Sequence, residues 1–307
     1  MIPVRLSNSC CCVNSSMPTA MVAMANNGSL MRAEPPMPSS CSHSATCFGV
    51  SAPRMRSALR LVHFWWPLAV GWSVTLVVHR ATLRAWSPSG LAVLLLGICA
   101  AYSLDRLLDA PSGTLAAWMR RVLAVTTSIS VAAMGALLPM LPRETAVLVP
   151  VVGAVALLYP AIKRLPLAKT VFVPLVWTWC AIALPFNDGS WFGWHWILQP
   201  IAAPLFLLFA ADALLCDLKD EECDRRSGVA SLPVILGPRR ATGIAVALAL
   251  AAGLCAYAEQ RLGLALSALG LGLVTLRPAL LATDVVGPLV VDVILTLPGL
   301  LIAVRMV

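Results

Sequence analysis

Nine stretches of this sequence, at about 61–79, 88–104, 122–141, 145–162, 169–186, 196–216, 241–257, 262–280 and 285–304, are almost wholly apolar. Each is close to the roughly 20 residues that, at about 1.5 Å rise per residue, carry a helix across about 30 Å of hydrocarbon. A chain inside lipid must satisfy its own backbone hydrogen bonds, which apolar segments of this length do as helices. The sequence therefore predicts an all-α, multi-pass membrane protein with about nine transmembrane helices. Composition agrees. Charged residues make up 12% of the chain and hydrophobic ones 59%, with mean hydropathy +0.85, whereas a soluble domain carries about 25% charged residues. The net charge of +8 is no nucleic-acid signal, because the basic residues sit in short loops between apolar runs.

Residues 1–55 read differently from 56–307. They are rich in Ser, Met, Pro and Cys, hold one acid (Glu34) and lack helical periodicity. Three explanations compete: a disordered extension, a transit peptide with only Arg5 and Arg32 to support it, or a spurious extension of a chain that begins at Met55. The last is preferred, since Met55-Arg56-Ser57 leads directly into the first helix. Five cysteines lie in this tail. Cys99, Cys180, Cys216, Cys223 and Cys255 are scattered in or beside apolar runs without CxxC or Cys/His spacing, as packing residues would be.

With the N-terminus inside, the inner flanks and loops hold fifteen Lys and Arg residues and the outer ones five. That bias fits the positive-inside rule and puts the 2–3, 4–5 and 6–7 loops in the cytoplasm. The expected location is a bacterial inner membrane, or an organellar one if the tail is a transit peptide. Half of the 14 acids fall in two segments on that same side. Tyr102-Ser103-Leu104-Asp105-Arg106-Leu107-Leu108-Asp109 closes helix 2, with Asp105 and Asp109 four apart on one face. Asp217-Leu218-Lys219-Asp220-Glu221-Glu222-Cys223-Asp224 closes helix 6, where Asp217, Asp220 and Asp224 share a face at spacings of three and four. Like charges so placed repel unless a cation offsets them. Mg²⁺ suits carboxylate oxygens and is commonly completed by substrate phosphate. Lys163 and Arg164, in the next inner loop, could ligate a diphosphate. Asp212 extends the acidic face inward. Asp292 lies within the last apolar run, where such residues face the bundle interior and find a partner.

The second segment runs on to Arg225-Arg226-Ser227-Gly228-Val229-Ala230-Ser231-Leu232-Pro233-Val234-Ile235-Leu236-Gly237. The pattern D-x-x-D-x-x-x-D-x-x-x-G-x-x-S-L-P-V-x-x-G closely resembles the second aspartate motif of UbiA-type intramembrane prenyltransferases. Tyr159-Pro160-Ala161-Ile162-Lys163-Arg164 resembles that family's basic stretch after helix 4. The resemblance covers about residues 58–307. It implies a helical bundle around a central cavity and Mg²⁺-dependent ionisation of a prenyl diphosphate, followed by attack of a lipophilic acceptor, aromatic acceptors included. It assigns the metal to Asp105, Asp109, Asp217, Asp220 and Asp224, with Asp105, Asp109, Asp220 and Asp224 as catalytic positions. Lys163, Arg164, Tyr102 and Arg106 become substrate-binding residues. The first motif departs from the family form: Ala101-Tyr102 stand where Asn-Asp is usual, and Ala110-Pro111-Ser112-Gly113 replaces an Arg-Pro stretch. An alternative reading is therefore a family member with altered catalysis, acting as a lipid-binding or assembly protein. A transporter would show matching broken repeats in two halves, and no convincing repeat is present.

Overall fold

The computed structural model describes residues 53–109, 117–162, 165–186, 198–281, 283 and 286–304. The expectations for residues 1–52, for Lys163 and Arg164, and for the side chain of Asp109 lie outside the described residues. Among the described residues every regular element is helical. These are α1 (Pro53–Thr82), α2 (Pro88–Asp109), α3 (Ala117–Leu137), α4 (Arg143–Ile162), α5 (Ala168–Ala183), α6 (Ala202–Ser227), α7 (Leu232–Leu236), α8 (Pro238–Ala258), α9 (Leu262–Val274), α10 (Pro278–Leu281) and α11 (Val286–Ala303). Single 3-10 turns follow α3 at Leu138–Met140 and α5 at Leu184–Phe186. The apolar runs fall on α1 to α6, α8, α9 and α11. Among the described residues five helical stretches, Pro88–Leu108, Ala117–Met140, Ala168–Phe186, Pro238–Ala258 and Val286–Ala303, are long and apolar enough to cross a membrane. The run at 262–280 is not one helix. Here α9 stops at Val274 and Pro278 opens α10, because proline disfavours helical geometry in the residue before it.

The helices follow one another around a ring. α1 packs along α11, α11 on α9, α9 on α8, α8 on α6 and α6 on α5. The turn after α5 reaches α2, which closes the ring on α1, while α3 lies outside against α2. On α8, Ala241, Ala245, Ala249, Ala252 and Ala256 are all buried, a stripe of small side chains that lets two helix backbones approach closely. Outward faces are apolar: Val122, Val125 and Ile129 of α3, Val147 and Val151 of α4, and Leu250 and Leu254 of α8 are exposed. In water such patches would aggregate; in a bilayer they meet lipid.

Pro298 lies inside α11, where its missing N–H leaves the carbonyl four residues back without a helical donor. That carbonyl, on Ile294, instead accepts from Ser267 Oγ of α9 at 2.7 Å. The next amide, Gly299 N–H, donates to Ser73 Oγ of α1 at 2.9 Å. Ser73 Oγ in turn lies 3.1 Å from Thr296 O and 3.3 Å from Leu295 O. Only glycine fits at 299: a Cβ there would stand 2.4 Å from Ser73 Cα. Two serines thus repair a proline break in an apolar bundle.

Three hydrogen bonds to backbone carbonyls fix which helix ends share a side. Ser87 N–H donates to Pro185 O at 2.7 Å, joining the start of α2 to the end of α5. Arg261 donates to Ala81 O at 3.0 Å, joining the α8–α9 turn to the end of α1 on that same side. On the other side, Leu167 N–H donates to Ala230 O at 3.4 Å, which brings the start of α5 to the turn after α6. The ends of α2 and α6, and with them both acidic segments, therefore lie on one side of the bundle with the start of α5.

Candidate functional site

The helix of α6 continues well past its apolar run, through the whole acidic segment to Ser227. It stops at Gly228, whose φ of +72° is left-handed backbone that glycine adopts at no steric cost. Val229 N–H then donates to Asp224 O at 2.9 Å, closing the cap. Ser231-Leu232-Pro233 opens α7 with proline in its first turn, and Gly237 at φ +82° joins α7 to α8. The glycines and proline of the long motif are thus the punctuation that turns the chain sharply beneath its aspartates.

Those aspartates do not behave as one set. Asp217 and Asp224 are buried, at 7% and 6% exposure, whereas the Asp220 side chain is 41% exposed. Seven residues bring a helix back to within about 20° of the same face, while three residues leave it some 60° away. Lys169, on the first turn of α5, reaches both buried acids. Its Nζ lies 2.9 Å from each oxygen of Asp224 and 3.5 Å from Asp217 Oδ1. Lys219 pairs with Asp220 at 2.7 Å. Arg225 pairs with Glu221, and Arg226 with Glu222 at 2.8 Å, on the exposed face. Burial pushes the Asp217 carboxyl, just beyond the apolar run, up to about 6; Lys169 opposes the shift, and Asp224 and Asp220 add to it.

Several polar atoms on this side are buried without a hydrogen-bond partner: Asp217 Oδ2, Thr170 Oγ1 beside Lys169, and Ser231 Oγ in the turn after α6. Buried groups of this kind ordinarily have a protein, water or ion partner. Among the described residues no three His, Cys, Asp or Glu side chains are grouped to hold a metal by themselves. Hard carboxylate oxygens with one buried acceptor unused nonetheless fit a Mg²⁺-like ion that keeps waters and takes its remaining ligands from phosphate. Asp217, with Asp220 and Asp224 nearby, would hold it.

The first segment approaches from α2. Tyr102 packs edge-on against Trp177 of α5 at 6.4 Å, and Trp177 meets Phe209 of α6 at 5.5 Å, an aromatic bridge between the two acid-bearing helices. Tyr102 lies within electrostatic range of Asp105 on its own helix, Asp212 and Cys216 on α6, and Asp292 on α11. Asp292 in turn faces the charge of Arg106, and Asp212 that of Asp217. Tyr102, Asp212 and Cys216 are each partly buried. The structure thus brings Tyr102, Asp105 and Arg106 toward Asp212 and Asp292, and it gathers Asp217 and Asp224 on Lys169. Tyr159, of the stretch before Lys163, stacks on Phe172 at 6.4 Å and lies within electrostatic range of Lys169.

Residues 91–287, more than half of the chain, match the UbiA prenyltransferase family. The chain belongs to that family. The matched region contains both acidic segments and α4 to α10. An apo structure of a UbiA homolog from Aeropyrum pernix K1 shares the fold of this UbiA-family chain, with TM-score 0.59 at 20% identity, covering 80% of this chain and 98% of that one. A UbiA homolog from Archaeoglobus fulgidus bound to Cd²⁺ aligns at 17% identity and TM-score 0.46, covering 83% and 98%. No curated protein matches the sequence. Lys169, the partner of Asp217 and Asp224, was missed from the sequence, where it reads as one more inward loop charge.

Proposed function

We propose that this protein transfers a prenyl group from a polyprenyl diphosphate to a lipophilic acceptor within the membrane, with the acidic side of the bundle cytoplasmic. Membership of the UbiA prenyltransferase family supports the reaction class. The observation that carries the reading for this chain is the convergence of Asp217 and Asp224 from α6 on one cation, with Asp217 Oδ2 left as an unused buried acceptor. A divalent ion bound there would neutralise charge on the diphosphate as the allylic carbon–oxygen bond breaks.

The residues divide the work by position. Asp217, Asp220 and Asp224 hold positive charge at the membrane boundary, with Asp105 of α2 and, from the sequence, Asp109 as further carboxylates. Lys163 and Arg164 bind the diphosphate from the α4–α5 loop, and Arg106 adds a further cation at the end of α2. Tyr102, Trp177 and Phe209 offer an apolar, aromatic wall to the isoprenoid and exclude water from the allylic cation. The acceptor then bonds to the allylic carbon and loses its proton, and diphosphate leaves toward the polar side.

The test uses protein purified into nanodiscs and given radiolabelled farnesyl or geranylgeranyl diphosphate with Mg²⁺. Release of diphosphate that EDTA abolishes is the expected result. Binding of the labelled diphosphate without release would favour the alternative reading, a lipid-binding family member, which the replacement of Asn-Asp by Ala101-Tyr102 motivates.

A further inference from the structure

The acidic side carries more fixed positive charge than its motif implies. Lys169 engages three of the four carboxylate oxygens of Asp217 and Asp224, and its side chain is only 15% exposed. Lys219 neutralises Asp220 at 2.7 Å. Along α6, three carboxylates against two ammonium groups leave a single negative charge, so one divalent ion suffices to turn this side of the cradle positive toward a diphosphate. Without the lysines three negative charges would remain, and two ions would be needed for the same result. On α2, Ala101 and Tyr102 supply no carboxylate, so the chain has fewer ligands to offer a second ion.

We propose that Lys169 is a resident cation that takes the place of one divalent ion in the acidic cradle, so that this chain grips a prenyl diphosphate with one metal ion fewer than its aspartates alone would require. The inference rests on the prenyl diphosphate reading above and assigns a positioning role to Lys169. The ammonium holds Asp217 and Asp224 together and leaves Asp217 Oδ2 for the remaining ion. A lysine suits this place because its ammonium is a compact point charge with three donors, matching the three oxygens it meets.

The test counts ions rather than turnover. Mn²⁺ serves as the probe, and bound ions per chain are measured by electron paramagnetic resonance in nanodiscs, with and without geranylgeranyl diphosphate. Lys169→Gln is expected to bind one more Mn²⁺ than the unmodified protein. Its affinity for geranylgeranyl diphosphate should fall by at least about tenfold at low Mn²⁺, the scale of a lost charged hydrogen bond, and recover at high Mn²⁺. Lys169→Arg, which keeps the charge, retains the original ion count. If Lys169→Gln does not fold, the charge-balanced Lys169→Gln/Asp224→Asn protein, which keeps Asp217 Oδ2, is measured instead. It has the same net charge as the unmodified cradle and is expected to bind the original number of ions. An unchanged count in Lys169→Gln, a loss of affinity that Mn²⁺ cannot restore, or fewer ions in the balanced variant overturns the inference while leaving the prenyl diphosphate reading standing. Absence of any Mn²⁺-dependent diphosphate binding in the unmodified protein overturns both.

Discussion

Asp217 and Asp224 share one lysine unequally, and the inequality predicts an order of stabilities. Asp224 presents both oxygens to Lys169 at 2.9 Å, whereas Asp217 presents one at 3.5 Å. A hydrogen bond to a charged group contributes about 1.5–3 kcal/mol, and the contribution falls off beyond ordinary bonding distance. All three side chains are 15% exposed or less, so solvent screening removes little of it. Asp224→Asn should therefore destabilise the protein by about 1.5–3 kcal/mol, and Asp217→Asn by about 1 kcal/mol or less. Burial already disfavours the Asp217 carboxylate, which lowers the cost of neutralising it. The double variant strands a buried ammonium with no counter-charge, a situation that costs about 3–5 kcal/mol, so the two changes should combine to more than their sum. Equilibrium unfolding in a defined mixed detergent at neutral pH, followed by tryptophan fluorescence, gives all four values as a double-mutant cycle. Asp217→Asn costing as much as Asp224→Asn, or strict additivity in the double variant, would refute the shared-lysine geometry.

Three further outcomes follow from the bundle. Ser73→Ala and Ser267→Ala each orphan a backbone group at the Pro298 break and should cost roughly 0.6–2 kcal/mol apiece. Pro298→Ala, which restores the missing N–H, should suppress the Ser267→Ala effect in the same unfolding assay. Gly299→Ala should cost more than Ser73→Ala, because its Cβ would meet the Ser73 backbone at 2.4 Å and the two helices would have to separate; overpacking of this kind costs about 1–3 kcal/mol, and equal melting temperatures for the two variants would contradict it.

The membrane helices were legible because length and apolarity alone decide whether a segment crosses a bilayer, and no long-range contact is needed to see it. The acidic segment of α6 was legible for a different reason: aspartates, glycines and a proline recur in it at fixed spacing. The spacing did not show how the acids divide. Asp217, Asp220 and Asp224 share a broad helix face, yet the partner on α5 selects only the first and last. Lys169 itself gave no local signal, since topology already calls for positive charge in that loop and the pairing spans 55 residues. The repair of α11 by Ser73 and Ser267 was equally hidden. A buried serine in an apolar run reads as a small packing residue until the helix broken by Pro298 is seen beside it.

Prenyl transfer by this protein requires that the acidic end of α6 act chemically on a prenyl diphosphate. Diphosphate release from labelled geranylgeranyl diphosphate, measured for the unmodified protein and for folded Asp220→Ala and Asp224→Ala variants, tests that most directly. The expected result is Mg²⁺-dependent release by the unmodified protein, reduced by at least a hundredfold in each variant. Undiminished release from both variants would contradict it.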